Sequence, residues 1–145
     1  MKKYLWALLC LLPAALPAHA EDNDVKARQQ YMKEWRGLTK QMNNMLQKHN
    51  ILSFPSGEFA ELTKQLNDTA AEPWPLFQTD SNDGNSEAKA DIWQQPQAFQ
   101  AAIRRFNQAA AALNQAARSG NYDAVQKPME ALNQSCKSCH SRFRE

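Results

Sequence analysis

The 145-residue chain predicts an all-α fold, an antiparallel four-helix bundle. Three observations predict it. Apolar residues recur at helical spacing over four segments, with almost no strand-like alternation. Short connections near Phe54 to Ser56 and Ser119 to Asn121 favour antiparallel neighbours. The apolar stripe of the last segment also takes in Cys136 and Cys139, so whatever these thiols hold is inserted among the helices and not hung on the surface.

The first helix is expected from about Asp24 to His49, with Val25, Met32, Trp35, Met42, Met45 and Leu46 forming a broad apolar stripe and Asp22 or Asp24 as cap. The second is expected from about Ser56 to Ala70, with Phe59, Leu62 and Leu66 on one face. Ser56 is its cap, but Phe59 stands where a capping box needs Glu. Phe54-Pro55-Ser56-Gly57 makes the turn between the two. In the third helix Phe99, Ile103, Phe106, Ala110, Leu113 and Ala117 alternate spacings of four and three. Pro96 suits its first turn and Ser119-Gly120-Asn121 ends it. The fourth continues the alternation through Tyr122, Val125, Met129, Leu132, Cys136, Cys139 and Phe143; Pro128 predicts either a kink or the true start of this helix. A polar crossover, Glu72 to Gln95, joins helices two and three and is pinned by Trp74, Leu76 and Phe77 before its centre and by Ile92 and Trp93 after it.

Cys136-Lys137-Ser138-Cys139-His140 is the pattern by which a protein takes haem through two thioethers and gives its iron a histidine ligand. On a helix the two thiols stand one turn apart on one face, each able to reach a vinyl group, and His140 projects its imidazole at the iron. A zinc site would need a fourth ligand, and beyond these three residues the mature chain offers only His49 as a further Cys or His. A redox dithiol would want a strand leading into the motif, which is missing.

Met1-Lys2-Lys3, an apolar run from Leu5 to Leu16 and the small residues of Ala18-His19-Ala20 read as a secretory signal peptide over residues 1–20, leaving a mature domain of 21–145 in the periplasm. The run is too short to span a bilayer and nothing later is apolar enough, so no stable membrane insertion is expected. Cys10 follows Leu8-Leu9 where a lipoprotein site wants a small residue, and it is expected to leave with the leader. Losing Lys2 and Lys3 takes the basic residues from 17 to 15 against 15 acidic ones, so the mature polypeptide is formally neutral, with no basic patch predicting nucleic acid. Asn67-Asp68-Thr69 and Asn133-Gln134-Ser135 match glycosylation sequons, a short pattern that arises by chance; the second would crowd the haem.

With the haem motif at the C-terminus, Trp74 to Phe77 and Ile92-Trp93 in the crossover, and Arg28 with Met32 on helix one, the chain resembles the class II cytochromes c, the family of cytochrome c-prime and its low-spin relatives. The resemblance covers essentially the whole mature chain and implies one covalent haem c. It places Met32 at the distal position, where the low-spin branch has a methionine ligand and cytochrome c-prime an apolar residue with five-coordinate iron. A methionine on an apolar stripe also reads as a gap-filler. Arg28, one turn before Met32, is a candidate partner for a propionate or a solvated arginine; Arg144, four residues past His140, either covers the proximal side of the ring or frays. The resemblance further implies homodimers through helices one and two.

The leading expectation is therefore a periplasmic monohaem electron carrier, not an enzyme, with His140 and Met32 as axial ligands and periplasmic redox proteins as partners. The alternative is a five-coordinate protein that captures nitric oxide or carbon monoxide. A third reading is a metal-binding or interaction bundle that uses the thiols.

Overall fold

The computed structural model describes residues 18–77 and 85–145, with side chains from residue 23 onward. In chain order it contains α1 (Ala18–Lys48), α2 (Ser56–Thr69), a 3-10 turn at Trp74–Phe77, the single-turn α3 (Asp91–Gln94), α4 (Pro96–Ala117) and α5 (Tyr122–Phe143). The four long helices are the four expected from the periodicity, and they pack as an antiparallel four-helix bundle. Residues 1–17 of the expected leader and the polar centre of the crossover, Asp80 to Gly84, lie outside the described residues.

Several boundaries differ from the expected ones for local reasons. α1 starts upstream at Ala18, so Asp22 and Asp24 lie inside it instead of capping it. Ser56 is the first helical residue of α2 and makes no side-chain cap; Pro55 takes the cap position. Pro128 neither starts nor ends α5, which runs through it from Tyr122. The start is fixed about two turns earlier by Asn121, whose side chain accepts hydrogen bonds from the amides of Asp123 (2.8 Å) and Ala124 (3.2 Å). These bonds satisfy two of the amides that a helix start leaves without an internal partner. Gly120 supplies the left-handed turn before it, with φ of 66°. The crossover also holds more structure than a pinned loop, namely the 3-10 turn and α3.

The apolar stripes meet in two clusters. The larger gathers Trp35, Met42, Phe59, Leu66, Leu113 and Leu132, and the smaller Ile92, Phe99, Ala102, Ile103 and Phe143; Trp74 packs against both. Trp35 stacks on Phe106 at 4.5 Å between centroids, and Trp74 meets Phe106 edge-on at 5.7 Å. Register between α1 and α5 is set by a reciprocal amide pair: Asn43 donates to Asn133 (3.2 Å) and Asn133 to Asn43 (2.9 Å). That pairing occupies the side chain a glycan would need at the second sequon. Among the described residues no helix is long and apolar enough to cross a membrane.

Leu132 is fully buried in the larger cluster. Leu132→Ala is expected to destabilise the holoprotein by roughly 2–5 kcal/mol through lost burial and an unfilled cavity, read as a lowered midpoint in denaturant unfolding.

Candidate cofactor cavity

The helices do not close on one another everywhere. α5 packs closely on α4 and α2 on α4, while α1 and α5 touch little. Between α1, the crossover, α4 and the last turns of α5 lies a cavity of about 610 Å³. This is the size range of small-molecule and cofactor sites, ~300–1,000 Å³. Its inner wall is aromatic, built by Trp35, Trp74, Phe77, Phe99, Phe106 and Phe143. The six residues singled out from the sequence, Arg28, Met32, Cys136, Cys139, His140 and Arg144, all line this one space.

The helical stripe of α5 puts the thiols there. Cys136 packs at the edge of the larger cluster and Cys139 against the smaller, so the motif straddles the two. Both are free cysteines and half-buried. Burial pushes both thiols up from their ordinary value, with the neighbouring Cys136 adding to the effect at Cys139. They are thus protonated thiols at neutral pH, the opposite of the depressed thiolate a redox dithiol uses. The imidazole of His140 is reached by solvent from the cavity side. Desolvation lowers its pKa, helped by Arg144 and then Arg36, with Glu87 opposing. At neutral pH it is therefore an uncharged ring with a lone pair to offer a metal. Among the described residues no three His, Cys, Asp or Glu side chains cluster to hold a metal ion, and His49 stands beyond the far end of α1. A four-ligand zinc site is not assembled. Thiols one turn apart, a neutral imidazole and an aromatic slot fit a covalently held porphyrin.

Arg28 is neither a solvated arginine nor simply a charge turned to the cavity. Only 3% exposed, it donates to the carbonyl of Leu76 (3.1 Å) and the hydroxyl of Ser86 (3.0 Å), and its guanidinium lies 4.5 Å above the Phe77 ring. It ties both ends of the crossover to α1, and Gln29 adds a bond to the carbonyl of Asn85 (2.8 Å). Arg144 does not fray. Its side chain pairs with Glu87, its backbone forms a bridge with Ala88, and its amide donates to the carbonyl of His140 (3.1 Å). Residues 85–89 thus form a strap held by α1 on one side and by the chain end on the other, with Lys89 donating to the carbonyl of Phe143 and Glu145 to that of Glu87, each at 2.9 Å. Met32 is half-buried against the larger cluster. Sequence reasoning missed Ser86, Glu87 and Arg36. Arg36, one turn beyond Met32 on the same stripe as Arg28, was within reach of the periodicity. The strap residues were not, because long-range pairing across an irregular crossover leaves no periodic trace.

The site and the fold define a class: a helical bundle whose cavity fits one tetrapyrrole beside two thiols of its C-terminal helix. Comparison with known proteins makes this specific. The family model described as cytochrome C' matches residues 23–144. The chain is 39% identical over 59 residues to a cytochrome c' of Rhodospirillum rubrum, a match covering 41% of this chain and 40% of that protein. It is 31% identical over 99 residues to a cytochrome c' of Halomonas halodenitrificans, covering 64% and 75%. The chain thus spans less than half the length of the first of these relatives in the matched segment. The crystal structure of cytochrome c' from Rubrivivax gelatinosus superposes with a TM-score of 0.80 at 22% identity, covering 86% of this chain and 97% of that one. A nitric oxide complex of a cytochrome c prime variant from Alcaligenes xylosoxidans superposes with a TM-score of 0.78 at 22% identity, covering 86% and 96%. The chain belongs to the cytochrome c' family, and its cofactor is one covalently bound haem c.

Removing the Arg28 side chain frees both ends of the crossover. Arg28→Ala is expected to raise amide hydrogen exchange in residues 76–77 and 85–89 well above that of α2, and to lower the thermal midpoint, since buried hydrogen-bond acceptors lose their partner.

Proposed function

We propose that the chain is a periplasmic haem protein that binds a diatomic gas, nitric oxide or carbon monoxide, at an iron carrying His140 as its protein ligand. The observation that carries this reading is the match to the cytochrome c' family over residues 23–144, joined to a cavity that has His140 on one helix and the apolar side chains of Met32 and Trp35 on another. The haem supplies an iron that takes up a diatomic ligand in its ferrous state. Cys136 and Cys139 anchor the ring by thioethers, and their protonated state suits addition of S–H across a vinyl group. The aromatic wall excludes water, and a neutral His140 offers its lone pair without first losing a proton.

The low-spin His140/Met32 electron carrier expected first is the weaker reading. The likeness is to cytochrome c', and Met32 packs against the main core, which supports a filler that crowds the distal side. Export is part of the proposal: the family match begins at residue 23, beside the expected cleavage after Ala20. Mass spectrometry of the exported protein should give a chain beginning at Glu21.

The ferrous holoprotein is expected to be high-spin and to bind carbon monoxide without a slow ligand-loss phase. Met32→Ala should leave the spin state unchanged and speed binding by several-fold as crowding is relieved. Sharp low-spin α and β bands in the wild type, lost in Met32→Ala, would return the electron-carrier reading. Cys136→Ala or Cys139→Ala should leave haem on a single thioether, with poor holoprotein yield and an altered pyridine haemochrome spectrum; normal spectra in both would remove the attachment site.

A further inference from the structure

Charge is unevenly distributed about the cavity. α4 contains no acidic residue, and neither do residues 35–48 of α1 or 135–144 of α5. Those stretches carry the exposed cations Arg36, Lys40, Arg105, Lys137 and Arg142, none of them in an ion pair among the described residues. Register brings them to one height of the bundle. Asn43 is bonded to Asn133 across antiparallel helices, so Arg36 comes level with His140 and Lys40 with Cys136. Phe99 meets Phe143 at 5.3 Å, which brings Arg105 level with Lys137. The fields agree: Arg36 acts on His140 and Arg105 on Cys139. Glu87 lines the cavity but is paired with Arg144, and other acidic side chains include Glu58, Glu61 and Asp68 on α2 and Asp123 and Glu130 on the early turns of α5. A mature chain with no formal net charge therefore carries a basic face at the level of its cavity, and Arg36 lines the cavity itself.

We infer that this face docks the acidic surface of a redox protein that reduces the haem iron, an inference that rests on the cofactor reading above. Gas capture by ferrous iron requires a donor, and each turnover moves one electron: the partner's reduced carrier is oxidised by one electron and ferric iron becomes ferrous, with no bond made or broken. Exposed like charges around the reacting centre speed encounter with an oppositely charged partner and orient it. A protein fits better than an anionic bilayer, because surface binding to lipid combines basic residues with apolar ones that insert. Among the described residues the exposed large apolar ones, Ile51 and Leu52, stand in the turn between α1 and α2, beyond the far end of α1 from the cavity.

The test uses ferric holoprotein and flavodoxin hydroquinone, an acidic one-electron donor, in stopped flow. Raising salt from about 10 to about 300 mM should slow reduction at least tenfold, and the double variant Lys40→Glu/Arg105→Glu should be slower by about tenfold at low salt. Binding of carbon monoxide, an uncharged ligand, should be unchanged in that variant. A rate independent of salt, or a double variant as fast as wild type, overturns the inference. So does retention on phosphatidylglycerol vesicles that flavodoxin cannot displace. Absence of a Soret band would mark failure of the cofactor reading; calorimetric binding of flavodoxin to the same chain, strong at low salt and weakened in the double variant, still decides the surface.

Discussion

The structure depends on the helical register of α5. Val125, Met129, Leu132, Cys136, Cys139 and Phe143 share one stripe, so the same face that buries the middle of the helix also presents two thiols over a gap in the core. Moving the motif by one residue would rotate the thiols by about a quarter-turn, out of the stripe and toward solvent. The gap in turn explains why two apolar clusters replace the single core usual in a domain of this size. A large rigid apolar group held at Cys136 and Cys139, as proposed, would join them, and its burial would add the apolar contact that α1 and α5 do not make with each other.

Around that gap the chain spends its polar groups on position. Arg28 is buried with its guanidinium on two crossover acceptors and a ring face, a costly placement unless the charge is well satisfied. Glu87 and Arg144 close the strap from the other side, next to His140. The strap therefore couples α1 to the helix that carries His140. A change in the crossover can reach His140 through Arg144 without moving any helix axis.

Much of this was legible in the sequence because it is periodic. Four stripes gave four helices, and the placement of Cys136 and Cys139 within the last stripe predicted a site inside the bundle. What stayed hidden was local or long-range chemistry without a period. Asn121 was read as the end of one helix although it caps the next, since Asn serves both ends. Pro128 suggested a break, yet a proline two turns into α5 costs one backbone bond, which packing of Val125, Met129 and Leu132 outweighs. Arg28 and Arg144 were placed at the cavity, but their partners Ser86 and Glu87 were not foreseen, because these reach them from nearly sixty residues away in sequence.

Met32 shows where sequence and packing speak to different questions. Its position on the α1 stripe, between Arg28 and Arg36, is enough to put it in the cavity wall. Whether a thioether ligates depends on whether the side chain is free to leave its apolar neighbours, and Met32 is packed against the larger cluster. Ligation would trade that contact, together with the rotamer freedom of an unbranched chain, for one weak axial bond. With α1 and α5 in little contact beside the cavity, ligation would also require α1 to move toward α5. The reciprocal Asn43–Asn133 pair fixes the two helices further along and opposes such a movement. The spacing between α1 and α5 thus works against Met32 as a second protein ligand.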